Sequence, residues 1–390
     1  MTVASPSAVA ALTIERRPLD AIPRDDWDAL AAANPWATPF SAWAFHRAWW
    51  DAYGENAHEE TLVALDPDGR LRGIVPLMHR HQVEPADAAT HTTMRHGHPA
   101  ELTPVAPTAK SIFFGASYHA DYATLLCAPT DLAAVAEALA THLADGTVDD
   151  PGHRVPWDAL DLRRLRAGDP AADALVAALG RREMSAGWTL NVEQEDVCPV
   201  LTLPEGADYE GFLGTLGKKD RHEVRRKVRR AEAAGEVVLA ESPEPLADLE
   251  SFIDLHQRRW GDDGLFPDTP GGAQSRVLFH RLFELFGAGG PLRLTFLTVA
   301  GRRVASGVHF ETDDAYLYYN AGVDLEARDL SPGVVLAARY VERAIAAGKR
   351  RLDFLRGDEL YKYEWGSLDE PISRLLVRRT PASPSTAVPA

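Results

Sequence analysis

The chain has little cysteine, no long hydrophobic run and no excess of positive charge. Its 390 residues include two cysteines, Cys127 and Cys198, which excludes a disulfide framework and indicates a reducing compartment. No apolar run approaches the roughly 18 residues that span a bilayer, and no basic region precedes the short apolar stretch near the start. A net charge of −16 argues against a surface that binds nucleic acid or anionic membrane as a whole. We therefore expect a cytoplasmic protein with no membrane insertion.

Motifs of several enzyme classes are also missing. The sequence contains neither a Gly-x-Ser-x-Gly elbow nor a Walker lysine loop, which argues against triad hydrolases and nucleotide hydrolases. His91, His96 and His98 cluster, but no cysteine or carboxylate stands at ligand spacing from them. We predict no metal.

The length and the order of predicted elements indicate two similar domains. A chain of 390 residues exceeds one core of ordinary size. Periodicity in the second half predicts the order β-α-α-β-β-β-α-β, a short α segment and a last strand, and the first half repeats this order. We place lobes at 1–195 and 196–380, and a disordered tail rich in Pro, Ala and Ser at 381–390. The predicted class is α/β (α+β), with two tandem domains, each a mostly antiparallel sheet flanked by helices.

Local correspondences support the repeat. The hairpin turn at Gly69 corresponds to the turn at Gly301, and the Leu160-Asp161 pair corresponds to Leu352-Asp353. The N-terminal lobe has an acid, Asp131, where its equivalent helix should begin, and an acid there would repel a phosphate. We therefore predict that the N-terminal lobe is not catalytic.

Residues 316–366 are the most informative segment. An aromatic strand, YLYYNAG, leads through the loop VDLEARDLSPG into a helix, and a second strand, LDFLRG, follows. A helix start reached through such a loop offers unpaired N–H groups and the positive end of the helix dipole. This arrangement suits a phosphate group.

The strings LHQRRWG, YNAG, LSPG and LDFLRGDELYKYEW resemble the acetyltransferases of cellulose biosynthesis of the CelD/BcsL type. That group belongs to the GNAT acyltransferases and is related to the tandem-domain FemAB peptidyltransferases. The N-terminal string WDALAAANPWATPFSAWAFHRAWWDAYG is also similar, so the resemblance extends over about residues 12–380.

The resemblance implies an acyl-CoA co-substrate, such as acetyl-CoA, lying between the strands around Tyr319 and Asp353, with its pyrophosphate on the loop before the predicted helix. This loop departs from the usual pattern, because it has one glycine and its proline removes one N–H donor. The expected phosphate-binding residues are Arg328, Leu330, Ser331, Pro332, Gly333 and Val334.

Acyl transfer needs a base, an acid for the leaving thiolate and donors for the oxyanion. Asp353 is the predicted base, because burial in an apolar strand would raise its pKa; alternatively, it pairs with Arg356 or caps a neighbouring turn. Glu359 is the second candidate base. Tyr361 is placed to protonate the thiolate, with Tyr363 as a further phenol or a packing residue, and Asn320 is placed to donate to the oxyanion.

Three candidates, Tyr319, Asn320 and His256, also have plain structural interpretations. Tyr319 and Asn320 could be ordinary strand residues. His256 could be a base, but it shares a predicted helix face with Leu249, Phe252 and Trp260, which favours a histidine of the core.

The segment KKDRHEVRRKVRR, residues 218–230, is locally basic, with eight basic and two acidic residues, a difference of +6. It could be a solvated helix face, or it could attract CoA phosphates or an acylated tRNA into a cleft. The residues assigned to such a substrate or polyanion cleft are Arg225, Arg226, Arg229, Trp260, Arg356 and Lys362.

Three functions follow from these observations. The first is acyl transfer from acyl-CoA to an amine or hydroxyl acceptor, in polysaccharide or cell-envelope biosynthesis. The second is a FemAB-like peptidyltransferase that uses aminoacyl-tRNA, and the third is a non-catalytic scaffold of a polysaccharide-synthesis system. The sequence leaves the acceptor and the oligomeric state open.

Overall fold

The computed structural model describes residues 11–80, 102–145 and 157–379. The histidine cluster at 91–98 and the predicted tail at 381–390 lie outside these residues. Within the described ranges, no helix is long and apolar enough to cross a membrane. The α-helices are α1 (Arg24–Ala33), α2 (Trp43–Tyr53), α3 (Leu132–Asp145), α4 (Pro170–Gly180), α5 (Glu183–Ala186), α6 (Tyr209–Thr215), α7 (Lys218–Ala234), α8 (Pro245–Trp260), α9 (Pro270–Phe286), α10 (Pro332–Ala346) and α11 (Leu360–Tyr363).

The strands form two sheets. Four strands pair in the order β1-β3-β4-β7, and eleven pair in the order β10-β11-β12-β13-β14-β9-β15-β8-β6-β5-β2. The strands are β1 (Thr13–Arg16), β2 (Ala57–Glu59), β3 (Leu62–Leu65), β4 (Leu71–Val75), β5 (Leu77–Arg80), β6 (Ser111–Phe114), β7 (Leu126–Cys127), β8 (Ala159–Arg166), β9 (Trp188–Thr202), β10 (Val237–Glu241), β11 (Leu292–Val299), β12 (Arg302–Glu311), β13 (Ala315–Val323), β14 (Arg351–Asp353) and β15 (Leu368–Arg379).

The larger sheet is mostly antiparallel, but it contains one parallel pair in each half. Strand β13 runs parallel to β14, with Leu317 opposite Asp353. Strand β6 runs parallel to β8, with Phe113 opposite Asp161. The structure therefore places Leu160-Asp161 and Leu352-Asp353 at corresponding positions, as the sequence repeat predicts. The fold class is confirmed as a mixed α/β structure of open, mostly antiparallel sheets with helices.

The two halves share one continuous sheet. The last strand, β15, pairs with β8 on one side and with β9 on the other. Strand β9 covers residues 188–202, so the predicted boundary after residue 195 lies inside a strand. The division into two lobes remains an interpretation of the repeat.

Most predicted helices and strands are present, with differences at their ends. The strand predicted at 122–127 is reduced to Leu126–Cys127. The strand predicted at 352–355 ends at Asp353, because Leu355 has a φ of +57°, which lies in the left-handed region and is incompatible with a strand.

Aromatic side chains from both halves form a shared core on one face of the sheet. Helices α2 and α9 pack against each other, and α8 lies along β12 and β13. Phe40, Phe45, Phe252, Phe279 and Phe310 are all buried in this one cluster. Since full burial of such a side chain stabilises a protein by about 1.5–3 kcal/mol, this cluster holds the two halves together.

Candidate functional site

A cavity of about 620 Å³ lies where the parallel strands β13 and β14 separate. Their pairing ends at Leu317 and Asp353, and residues 318–321 and 354–357, which follow on the two strands, line the cavity. The left-handed Leu355 turns the chain away from the sheet at this point. The gap between the two strands is therefore built into the sheet and is open to a ligand.

Two predicted site residues, His256 and Asn320, lie together in the cavity wall. Helix α8 approaches β13 closely, since a Cβ added to Gly322 would lie 2.5 Å from the backbone nitrogen of His256. Burial lowers the pKa of His256 to about 4, although hydrogen bonds to Gln257 and Asn320 act in the opposite direction. The imidazole is therefore neutral near pH 7, and its buried Nδ1 has no hydrogen-bond partner among the described residues.

Tyr319, Tyr361 and Glu359 also line the cavity, whereas Tyr363 does not and donates from its hydroxyl to Asp369 at 2.6 Å. Tyr361 packs edge-on against Phe354, and burial raises the pKa of its phenol, so the phenol keeps its proton at neutral pH. The hydroxyl of Tyr319 donates to the carbonyl of His119 at 3.0 Å and is thus already engaged. The carboxylate of Glu359 lies 2.8 Å from the ammonium of Lys362.

Asp353, the predicted base, is not among the residues that line the cavity. Its Oδ2 accepts a hydrogen bond from the hydroxyl of Tyr122 at 2.8 Å, and its Oδ1 accepts one from the Leu355 N–H at 2.8 Å. Burial raises its pKa to about 6 against the effect of these hydrogen bonds. The sequence therefore predicts the burial and the raised pKa, but the carboxyl group points into the junction between the two halves. Its alternative partner, Arg356, instead contacts Asp121, with Nε 3.3 Å from Oδ1.

Three residues of the predicted polyanion cleft, Trp260, Arg356 and Lys362, do line the cavity. Lys362 is 3% exposed, and its ammonium donates to the carbonyls of residues 355–357 at 2.9–3.2 Å. Because those three bonds use all three N–H donors of an ammonium, Lys362 holds the turn after β14 in place, and Glu359 is an ion-pair partner beside them. Arg259 lies over the ring of Trp260 at 4.6 Å.

The other three, Arg225, Arg226 and Arg229, lie on α7 and do not line the cavity. Arg225 pairs with Glu210, Arg226 pairs with Glu223 at 2.8 Å, and Arg229 donates to the carbonyl of Arg225 at 3.2 Å. These arginines lie away from this cavity, because α7 packs on α10 at the other side of β13, and their place in a cleft stays a prediction.

The predicted phosphate loop is formed where α10 begins. Ser331 has a φ of +52°, Pro332 occupies the first turn of α10, and Gly333 follows. The guanidinium of Arg230, the last arginine of the basic stretch, donates to the hydroxyl of Ser331 at 2.6 Å. This loop lies outside the cavity wall, at the far end of β13. Its predicted phosphate-binding residues are Arg328, Leu330, Ser331, Pro332, Gly333 and Val334.

Sequence reasoning missed the side chains that the first half contributes. Tyr118, His119 and Asp121 line the cavity, as do Asp196 and Ser275. Burial raises the pKa of Asp121 although Arg356 acts to lower it. No motif marks these residues, and no local pattern could predict that residues 118–121 meet β13. Among the described residues, no group of three or more His, Cys, Asp or Glu side chains could hold a metal ion.

Comparisons with known proteins agree with this architecture. Residues 218–363 match the family model of an acetyltransferase (GNAT) domain, whereas no curated protein matches the sequence. The crystal structure of FemX superposes with a TM-score of 0.54 at 11% identity, covering 91% of this chain and 96% of that one. A conserved protein of unknown function from Bacteroides thetaiotaomicron gives a TM-score of 0.53 at 12% identity, covering 94% and 100%. Residues 218–363 are thus similar to a GNAT acetyltransferase domain, and the chain has a fold similar to that of FemX along nearly its whole length.

Proposed function

We propose that this protein is an acyltransferase that moves an acetyl or other acyl group from acyl-CoA to an amine or hydroxyl acceptor in the cavity. The opening between β13 and β14 beside a 620 Å³ cavity is the observation that carries the proposal. It lies within the segment that matches the acetyltransferase model. The resemblance to the cellulose-biosynthesis type leads us to propose a polysaccharide or cell-envelope acceptor.

The start of α10 is the proposed phosphate site. Pro332 has no N–H, and the N–H groups of Val334 and Val335 donate to the Ser331 carbonyl, so the Gly333 N–H and the helix dipole are the features that favour an anion there. Arg230 adds a positive charge at the Ser331 hydroxyl. The loop follows the end of β13, which is three residues beyond Asn320. Three strand residues span about 10 Å, which is the distance along the strand from its end to Asn320. A carrier bound at Gly333 can therefore extend along β13 into the cavity.

The cavity offers groups for each step of acyl transfer. A base must take a proton from the attacking nitrogen or oxygen, and we assign this role to a cavity carboxyl, Glu359 or Asp121, in place of Asp353. Asn320 is placed to donate to the oxyanion, and Tyr361, whose raised pKa keeps it protonated, is placed to give its proton to the departing thiolate. The acceptor adds to the carbonyl carbon to give the tetrahedral oxyanion, and its collapse breaks the carbon–sulfur bond and releases the thiolate, which takes the proton.

Calorimetric titration with acetyl-CoA tests the donor site. A Cβ at Gly333 would meet only Val323, at 3.7 Å, so Gly333→Glu should fold and place a carboxylate where the phosphate would bind. The matched control is Ala346→Glu, which adds the same charge at the exposed end of α10, about 20 Å away at 1.5 Å per residue. We expect the parent and Ala346→Glu to bind and Gly333→Glu to lose binding. Parent protein that does not bind would contradict the proposal.

One observation favours a second candidate, transfer from an aminoacyl-tRNA. The basic stretch forms the exposed helix α7 and its last arginine, Arg230, reaches the start of α10. Under this alternative, the purified protein would retain nucleic acid, and its affinity for tRNA would fall steeply with salt concentration. Tight acetyl-CoA binding together with no retention of nucleic acid would reject this candidate.

A further inference from the structure

His119 is held in an uncommon conformation at the wall of the cavity. Its φ is +69°, in the left-handed region that residues other than glycine rarely adopt. The residue is 7% exposed and lines the cavity. Strained residues of this kind persist where the surrounding structure over-determines them, and they concentrate at binding and catalytic sites.

Three elements from both halves of the chain hold this histidine. The Tyr53 hydroxyl, at the end of α2, lies 2.8 Å from His119 Nε2. The same hydroxyl lies 3.0 Å from the hydroxyl of Ser275 on α9. The Tyr319 hydroxyl on β13 donates to the His119 carbonyl at 3.0 Å. The ring and the backbone of His119 are therefore both fixed by hydrogen bonds, and Tyr53 and Ser275 are positioning residues.

The chemistry of these groups decides which ring nitrogen carries the proton. Burial lowers the pKa of His119 to about 3, so the ring is neutral, and burial raises the pKa of Tyr53, so the phenol keeps its one proton. A phenol is a stronger donor than an aliphatic hydroxyl, and an imidazole nitrogen is a stronger acceptor than a hydroxyl oxygen. The Tyr118 phenol also lies within hydrogen-bond reach of the Tyr53 hydroxyl, but an imidazole nitrogen is a stronger acceptor than a phenol oxygen, so the favoured arrangement has Ser275 donating to Tyr53 and Tyr53 donating to Nε2. The remaining proton then sits on Nδ1.

We propose that His119 determines specificity by donating a hydrogen bond from Nδ1–H to an oxygen of the acceptor, a hydroxyl, carbonyl or carboxylate. Naming the ligand an acceptor rests on the proposed function, whereas the donor at Nδ1 does not. Among the described residues, no hydrogen bond uses this nitrogen, and Nε2 is occupied by Tyr53. His119 lies in the N-terminal half of the chain, which the sequence predicts to be non-catalytic. That half then supplies the group that recognises the acceptor.

The first test is made on the free protein with ¹⁵N-labelled histidine. Long-range ¹H–¹⁵N spectra distinguish the two neutral tautomers, and loss of one signal in His119→Asn assigns the residue. We expect a neutral ring with its proton on Nδ1. In Tyr53→Phe, which removes the hydroxyl but keeps the ring, we expect a mixture of tautomers. A proton on Nε2 in the parent, or a charged ring, would overturn the proposal, because Nδ1 would then have no proton fixed for a ligand.

The second test titrates the labelled protein with two small oxygen ligands, acetate and glycerol, at concentrations high enough to fill a weak site. We expect at least one of them to shift the His119 Nδ1–H signal in the parent. We expect the shift to be lost in Tyr53→Phe while thermal unfolding still shows a folded protein. Ser275→Ala, a milder change of the same network, should weaken the response. If neither ligand moves the signal of the parent, the proposal is wrong.

The third test compares two conservative variants in turnover with an acceptor found by a thiol-release screen. The amide nitrogen of asparagine can stand where Nδ1 stands, and asparagine tolerates a positive φ, whereas the amide nitrogen of glutamine stands nearer to Nε2. We expect His119→Gln to raise the KM for the acceptor roughly three- to tenfold, the equivalent of one neutral hydrogen bond. His119→Asn should stay close to the parent, and the KM for acetyl-CoA should not change in either variant.

Equal acceptor KM values for the parent and His119→Gln would overturn the role of His119. Failure of the parent to bind acetyl-CoA would instead contradict the proposed function, and the spectra of the free protein would still decide whether His119 offers its donor. The two failures are therefore separable.

Discussion

Replacing Asp353 with asparagine should remove a pH-dependent loss of stability. The carboxyl group is buried between the two halves, and its pKa is raised from its ordinary value of 3.8 to about 6. Below pH 3.8 it is protonated in both the folded and the unfolded protein and has no effect. As the pH rises toward 6, the unfolded chain loses this proton first, so the free energy of unfolding falls.

The size of the effect follows from the two pKa values. Their difference, 6 − 3.8 = 2.2, multiplied by about 1.4 kcal/mol per pKa unit, gives about 3 kcal/mol. Asparagine does not titrate. The stability of Asp353→Asn relative to the parent should therefore increase by about 3 kcal/mol between a pH below 3.8 and a pH above 6, whatever constant difference the lost hydrogen bonds introduce.

Urea unfolding of both proteins across this pH range measures the difference. Asp161→Asn is the control, and its effect on the free energy of unfolding should change with pH in the opposite direction. Burial acts to raise the pKa of Asp161, but the hydrogen bonds and charges of Arg374 and Arg163 bring it below its ordinary value. The contribution of Asp161 is therefore present above its unfolded pKa and is lost as the pH falls through its folded pKa. A parent-to-variant difference for Asp353→Asn that does not change with pH would refute the reasoning. Because Asp353 does not line the cavity, we also expect turnover within tenfold of the parent, against the loss of about 10² or more expected for a base.

Three further predictions concern the cavity and its support. Tyr361→Phe removes the proposed proton donor and should lower turnover about 10²-fold with unchanged acetyl-CoA affinity by calorimetry; full activity would exclude this role. Arg374→Leu removes the guanidinium that contacts both oxygens of Asp161 at 2.7 Å and leaves Arg163 as the remaining cation at 3.1–3.2 Å. It should destabilise the protein by about 1.5–3 kcal/mol in urea unfolding, the scale of a hydrogen bond to a charged group; a loss below about 0.5 kcal/mol would contradict the pairing. Gly322→Ala places a Cβ 2.5 Å from the backbone nitrogen of His256 and should lower the free energy of unfolding by about 1–3 kcal/mol, measured as a lower Tm. The control is Gly69→Ala, which has open space around it and should show only the strain of its positive φ.

The sequence determined the elements and the repeat, because these depend on local periodicity. The helix face of Leu249, Phe252, Ile253 and His256 is buried as the 3.6-residue spacing predicts. Hairpins at Gly69 and Gly301 form where glycine permits a positive φ. The place of His256 in an apolar helix face also predicted its burial, and it is 3% exposed.

The tertiary structure decided which of these residues can act together. Strand β14 ends at Asp353, whose carboxyl group accepts a hydrogen bond from Tyr122 in the junction, and residues 354–357, just beyond the strand, line the cavity. The sequence predicted an acid in an apolar strand but could not decide which residues would face the site. The end of the strand and the turn at Leu355 thus separate Asp353 from the ligand.

The part of the cavity wall that comes from the first half of the chain also depended on contacts between distant segments. His119 is 66 positions and Ser275 is 222 positions from Tyr53 in the sequence. Only the insertion of β15 between β9 and β8 brings the elements that carry them to one side of a continuous sheet. Local patterns fix the helices and strands because neighbours in sequence set them. The site required pairing across the whole chain, which no local pattern encodes.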